Sequence, residues 1–293
     1  MYLSAIAHLH GDARPVTDLG ESECTDPQLK EDLLETFRES AGDVVTLAAD
    51  VGTRTLAAAN AVPDVVVWAT ESDLGGSAAD AGARLAGSLG CPSSVVLLVG
   101  GHACGNLGLL VQAARGLLAT SPTVLLITVD RAGSRRRMMP DGLSVLSDGA
   151  AAALATRDAP AAGSPTFAVH GVSISVNITG STGSAGLGAQ RRVVQLARKA
   201  VAQSSRSPKD FTRALFSNYR LSAQKFMGGA AGFTAQQLLV GPVAEHAHTF
   251  AADLLVNCDL LARAGDVEPG DRLALSATGP HSWALIDVEV RGA

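Results

Sequence analysis

Apolar runs without alternation recur along this chain, at Val65 to Thr70, Val95 to Val99 and Thr123 to Asp130. Runs rich in β-branched residues and lacking a polar face predict strands buried on both sides, as in a parallel sheet. Between them, helical patterns run through Leu47 to Asn60, from Ser77 to Leu89 and from Cys104 to Thr120. Strands alternating with helices in this order define βαβ units and an α/β class. Before this block the pattern predicts a short strand (Tyr2 to Leu9), a polar loop, and an amphipathic helix carrying Leu29, Leu33, Leu34 and Phe37 at helical spacing. After it come a basic loop (Arg131 to Pro140) and a strand near Ala150 to Ala155.

From Ala159 to Ser164 the composition shifts to Ala, Pro, Gly and Ser, a natural boundary between a first half, residues 1–163, and a second half, residues 164–293. The second half reads as a long strand (Thr166 to Ile178), a glycine-rich loop (Gly180 to Gly188), a helix (Gln190 to Ser204) and a strand (Thr212 to Phe216). Helices at Tyr219 to Met227 and Thr249 to Ala264 follow, then strands at Arg272 to Ala277 and Ser282 to Val290. Each half places a long helix before a strand near its end, a rough internal symmetry that suggests duplication.

Composition narrows the class of protein. With 293 residues and 47% hydrophobic content the chain can bury an extensive core. Only 17% of residues are charged and the net charge is −5, so no basic stripe is available for a phosphate backbone and nucleic acid is not an expected partner. The cysteines, at positions 24, 91, 104 and 258, show no CxxC spacing, which argues against a zinc ribbon or a disulfide framework and for a reducing cytoplasm. Met1 to Ala7 is too short for a signal-peptide core, and no uncharged apolar run approaches bilayer-spanning length, so no membrane association is expected.

The candidate chemistry centres on Cys104. It opens an apolar helix, interrupted only by Gln112 and Arg115, directly after the Val95 to Val99 strand and the turn at Gly100 and Gly101. A helix N-terminus favours thiolate over thiol, which makes Cys104 a candidate nucleophile; the plainer reading is a small buried hydrophobe. A thiol nucleophile needs a base, and the base needs a group that fixes its tautomer. His248 and Asp253, at the start of the late helix, can supply both parts, or they can be a loop histidine and an ordinary first-turn carboxylate. His246 and His248 could share a metal on an extended segment, but no helical ligand pair accompanies them and no metal is expected. The Gly180 to Gly188 loop lacks the Lys-Ser or Lys-Thr of a phosphate cradle and reads as a connection. Arg135, Arg136 and Arg137 form a basic run that is either a solvated loop or a landing site for a phosphate or an acidic carrier domain. Trp68, Trp283 and Cys258 read as core.

Taken together, these residues resemble the ketoacyl synthase III branch of the thiolase-fold superfamily. The resemblance runs through Val65 to Thr70, Ala103-Cys104-Gly105 with its helix, Ser147-Asp148-Gly149-Ala150, His248-Thr249-Phe250-Ala251-Ala252 and Gly279 to Trp283, in the family's order. It implies two similar halves in a five-layer αβαβα sandwich, a homodimer, and an acyl group carried on Cys104. The donor would be a coenzyme A or acyl-carrier-protein phosphopantetheine thioester, a substrate rather than a resident cofactor. The oxyanion would be held by the backbone N–H groups of Cys104 and Gly279, with Pro280 offering none.

The departures from the family pattern carry the functional expectation. Ketoacyl synthases of this branch pair their cysteine with a His and an Asn that stabilise an enolate. Here the Asn position holds His248, and the stretch where the His belongs reads Ser217-Asn218-Tyr219-Arg220. A Cys-His-Asp pattern is instead that of the family's acyltransferase offshoots, whose base activates a hydroxyl or amine acceptor. The expectation is an acyltransferase of specialised metabolism forming an ester or amide, with Cys104, His248, Asp253 and Gly279 as its site. The shortened segment before Asp43 lacks the family's coenzyme A grip, which favours a carrier-protein donor docking at Arg135 to Arg137. The competing readings are a priming condensing enzyme and a non-catalytic thiolase-fold partner subunit.

Overall fold

The computed structural model describes residues 1–20, 29–160, 165–178 and 187–292. Cys24, the boundary expected between residues 163 and 164, and residues 180–186 of the glycine-rich loop lie outside the described residues. In chain order the first half contains β1 (Tyr2–His10), β2 (Asp12–Pro15), β3 (Thr36–Glu39), α1 (Val44–Ala59), β4 (Val65–Ala69), α2 (Ala78–Ser88), β5 (Val95–Val99), α3 (Asn106–Leu117), β6 (Thr123–Asp130) and β7 (Gly149–Thr156). The second contains β8 (Thr166–Val176), α4 (Leu187–Gln203), β9 (Arg213–Phe216), α5 (Leu221–Ala231), β10 (Leu238–Leu239), α6 (Val243–His246), α7 (Asp253–Ala264), β11 (Arg272–Gly279) and β12 (Ser282–Gly292).

Ten of these strands form the order β5-β4-β6-β7-β1-β8-β12-β11-β9-β10. Read outward from the middle, β1-β7-β6-β4-β5 and β8-β12-β11-β9-β10 follow one plan, in strand rank and in sense. The three outer strands of each five are parallel and the inner two antiparallel. The fives are joined where Tyr2 pairs with Ala168 and Leu3 with Phe167, and where the Val169 N–H donates to Met1 O at 2.8 Å.

Side-chain alternation then sets the layers. On β4, Val65 and Val67 face a central cluster while Val66 and Trp68 face an outer one. The central cluster joins Leu107, Leu110 and Val111 of α3 and Leu254 and Leu255 of α7 to both sheets. Helices α1 and α2 cover the outer face of the first sheet, and α4 and α5 cover that of the second, against Phe216, Trp283 and Leu285. The result is an αβαβα sandwich of thiolase type with α3 and α7 in its middle layer. Helix α3 lies so close to β12 that a Cβ on Gly108 would collide with Cβ of Ala284. Helix ends agree with local sequence: Asp43 caps α1 through the N–H groups of Val45 (2.9 Å) and Thr46 (3.0 Å), and Ser77 caps α2.

Three local expectations are corrected. The amphipathic helix expected around Leu29 to Phe37 is a turn followed by β3, which pairs with β2 in a two-stranded antiparallel sheet. Its apolar residues are nonetheless buried: Leu29, Leu34 and Phe37 pack with Val16, Val145 and Val243, so a short apolar spacing is satisfied by a satellite cluster instead of one helix face. Strand β5 is not buried on both faces. It pairs only with β4 at the sheet edge and leaves Val95, Leu97 and Leu98 exposed, at 56%, 37% and 40%. The helix expected from Tyr219 begins at Leu221, leaving Ser217 to Arg220 as a loop. Among the described residues no helix is long and apolar enough to cross a membrane.

Candidate active site

Cys104 lies in a 3₁₀ turn, Ala103–Gly105, that leads into α3, and only 7% of it is exposed. Its Sγ is 2.9 Å from Nε2 of His248. Nδ1 of His248 is 2.5 Å from Oδ2 of Asp253, the first residue of α7. The three side chains singled out as nucleophile, base and orienting acid, far apart in sequence, therefore form one buried, hydrogen-bonded row.

Each member of the row is fixed from its own side. Asp253 accepts the Asn218 N–H at 2.7 Å and the Thr249 N–H at 2.6 Å, which leaves its carboxylate one orientation toward the imidazole. The His248 backbone donates to Val145 O (2.9 Å) and accepts from the Ser147 N–H (2.8 Å). The Ser147-Asp148 motif thus holds the base in register from the first half. Asp148 itself is buried and gathers the N–H groups of Ala132 and Ser40 and the guanidinium of Arg137. The His248 ring is flanked by Tyr219, with centroids 4.8 Å apart, and by Phe250 at 5.9 Å.

Burial alone would drive His248 toward its neutral form. The electrostatic pull of Cys104 and Asp253 and the hydrogen bonds to both outweigh it and raise the pKa to about 10, so the ring is held in its protonated form. The same charges move Tyr219 in the same direction. Burial and the Cys104 charge push its phenol well above the usual range, so it stays a neutral hydrogen-bonding group. Its hydroxyl donates to Thr278 O (3.1 Å) and accepts from the Thr278 hydroxyl (3.0 Å).

Gly279 ends β11 and pairs with Ser282 across the Pro280-His281 turn. A Cβ there would collide with the His102 carbonyl oxygen, so only glycine lets this turn lie against the nucleophile's turn. His246 does not join the row: its ring stacks on His10 at 4.0 Å, on the other side of the segment. Burial, then the charge of Arg38, lowers its pKa to about 4. Among the described residues no group of three or more His, Cys, Asp or Glu is placed to hold a metal ion. Of the three arginines, Arg137 is buried, paired with both oxygens of Asp148 at 3.1 and 3.2 Å and stacked over Phe37, which removes it from any docking role. Arg135 and Arg136 are exposed.

Several supporting residues escape a reading by motif: Asn218, Tyr219, Asn257, Glu71 and Asn106. Asn257 stands one helical turn after Asp253 and donates to the Asn218 side chain at 2.9 Å, a spacing on α7 that could have suggested it. Glu71 follows the end of a buried parallel strand, the position at which α/β sheets present functional groups.

The fold recurs among solved structures. The acyltransferase ChlB3 matches with a TM-score of 0.80 at 16% identity, covering 99% of this chain and 98% of that one. The 3-oxoacyl-(acyl carrier protein) synthase III of Pseudomonas aeruginosa matches with a TM-score of 0.77 at 15% identity, covering 99% and 98%. OleA of Xanthomonas campestris, solved as a single-residue variant, matches with a TM-score of 0.77 at 15% identity, covering 98% and 96%. No protein-family model and no curated protein matches the sequence. The fold is that of the ketoacyl synthase III-like thiolase proteins.

Proposed function

We propose that this protein is an acyltransferase that takes an acyl group from a thioester donor onto Cys104 and passes it to a hydroxyl or amine acceptor. The observation that carries the reading is the row Cys104–His248–Asp253, in which the imidazole touches the sulfur with one nitrogen and the carboxylate with the other. In the loading half-reaction the Cys104 thiolate attacks the thioester carbonyl, and the oxyanion is met by the backbone N–H groups of Cys104 and Gly279. Collapse breaks the bond to the donor sulfur, which leaves with the proton from Nε2 of the His248 imidazolium. The now neutral His248 takes a proton from the acceptor O–H or N–H as that atom attacks the acyl-cysteine. The second collapse expels the Cys104 thiolate and restores its pairing with the imidazolium. Asp253 keeps Nδ1 protonated throughout and stabilises the cation.

Two features favour transfer over carbon–carbon bond formation. A His stands where the branch's condensing enzymes carry Asn, and the loop where they carry His is occupied by Asn218 and Tyr219, which support Asp253 and His248. The naming of ChlB3 as an acyltransferase points the same way. The donor is a carrier-protein or coenzyme A thioester, with Arg135 and Arg136 as the cationic part of a carrier-docking surface. The exposed apolar edge of β5 supports a homodimer formed with a second copy of the chain.

Exposure to a panel of acyl thioesters, read by intact-protein mass spectrometry, tests the reading. The wild type gains one acyl mass and loses it when the acceptor is added; Cys104→Ala gains none. Carbon dioxide release from malonyl carrier protein would favour condensation, and an Ala variant that transfers at the normal rate would overturn the mechanism.

A further inference from the structure

The turn that presents Cys104 is strained and is held from outside the catalytic row. Ala103, immediately before the nucleophile, has φ of 49°, a left-handed conformation that a side chain disfavours and that lasts only where its surroundings impose it. Its N–H donates to Oε1 of Glu71 at 3.1 Å. The same carboxylate oxygen accepts Nδ2 of Asn106 at 2.8 Å, and Oδ1 of Asn106 accepts the His102 N–H at 3.0 Å. Asn106 is 1% exposed and is the first residue of α3. Asn106 and Glu71 thus hold the consecutive backbone N–H groups of His102 and Ala103.

Glu71 is anchored in turn. Its own N–H donates to Oδ1 of the buried Asp130 at 2.6 Å, and the Thr70 and Ser72 hydroxyls donate to the same oxygen at 3.1 Å each. Arg135 donates a guanidinium N–H to the Glu71 carbonyl. A continuous chain of hydrogen bonds therefore runs from the end of β6 through the loop after β4 to the residue before the nucleophile.

We propose that Glu71 is a positioning residue: its carboxylate oxygen holds Ala103 in the left-handed conformation that keeps the Cys104 sulfur within reach of His248. It touches no reacting atom and acts through the turn. This rests on the reading of Cys104 as the nucleophile. Without the acceptor, Ala103 relaxes toward negative φ and the sulfur swings away from the imidazole.

The test measures Cys104 alkylation by iodoacetamide against pH, alongside acyl loading, in variants shown to be folded by thermal melting. Alkylation reports the placement of the thiol whether or not the protein transfers acyl groups, so failure of the positioning role is separable from failure of the acyltransferase reading. Glu71→Ala is expected to slow both processes on the order of 100-fold. Glu71→Gln keeps an acceptor oxygen and is expected to retain the rate within about threefold, with the same pH profile. Ala103→Gly, introduced into Glu71→Ala, is expected to recover most of the loss, because glycine adopts this φ without a carboxylate to enforce it. Should Glu71→Ala fail to fold, Glu71→Asp replaces it: its shortened carboxylate falls out of reach and is expected to slow alkylation comparably. Wild-type alkylation in the Ala or Asp variant, or a folded Gln variant as slow as the Ala variant, would overturn the proposal. So would absence of rescue by glycine.

Discussion

The two halves of the molecule share one plan and deliver different chemistry to one place. In the first half, β5 is followed by a 3₁₀ turn at Ala103–Gly105 and then α3; in the second, β10 and α6 are followed by a 3₁₀ turn at Phe250–Ala252 and then α7. Each of these turns carries a non-glycine residue with positive φ, Ala103 at 49° and Phe250 at 52°, and each feeds a helix of the middle layer. What differs is the group placed at the helix start. The first half puts a sulfur there, and the second a carboxylate, Asp253, with the imidazole just ahead of the turn. Helix N-termini favour negative charge, so the repeated feature serves twice, and the His248 ring lies between the sulfur and the carboxylate. Neither half holds a working set alone.

The largest effect is expected from breaking the second half's contribution while leaving its shape intact. In Asp253→Asn the side chain must face an imidazole nitrogen and two backbone N–H groups with only one acceptor oxygen, and the tautomer of His248 is no longer fixed. Acyl transfer is expected to fall on the order of 10³-fold, by analogy with loss of the orienting acid in other triads. Rates of loading and transfer measured by mass spectrometry check this. A loss of less than about threefold would reduce Asp253 to support for the fold.

The next effect separates the halves by pH. His248 is held protonated up to about 10 with Nε2 2.9 Å from the Cys104 sulfur, so losing the ring in His248→Ala is expected to slow Cys104 alkylation at neutral pH on the order of tenfold. The sign for stability follows from linkage. A histidine whose folded pKa is raised contributes fully below its unfolded value and loses that contribution as pH rises through about 10. The wild-type melting temperature should therefore fall on that alkaline limb, and the His248→Ala variant should lack this component of the fall.

How much of this was legible in sequence depends on the range over which each feature is set. The unalternated runs at Val65 to Thr70 and Thr123 to Asp130 are buried parallel strands because their residues face two helical layers at once. The same kind of run at Val95 to Val99 lies at an open edge, which a sequence pattern cannot distinguish from burial. The site was legible only through the family resemblance, because taken locally Cys104, His248 and Asp253 also read as a buried hydrophobe, a loop histidine and a first-turn carboxylate. It was not legible where a backbone group does the work. Nothing local marks Asn218 as the N–H that fixes Asp253, and nothing in an Arg-Arg-Arg run shows that its last member is buried against Asp148.

Arg137 supplies the smallest expected effect on chemistry and the sharpest contrast with stability. It lies in the first half, on the loop after β6, and donates to the Leu146 carbonyl at 3.0 Å as well as to Asp148; the neighbouring residues Val145 and Ser147 bind the backbone of His248. Removing Arg137 leaves the buried Asp148 carboxylate with the N–H groups of Ala132 and Ser40 and with Arg131 at 3.8 Å but without its closest cation, so Arg137→Ala is expected to lower stability by about 3 kcal/mol. Arg135→Ala, at an exposed site, should change it by no more than about 0.5 kcal/mol. Denaturant melts of the two variants check the difference. Folded Arg137→Ala protein should still alkylate Cys104 within about threefold of the wild type, because Asp253 and Tyr219, both from the second half, remain to orient the imidazole. A larger loss would mean that the first half holds the base as firmly as the second half does, and that the division of labour between the halves is less complete than the placement of their side chains suggests.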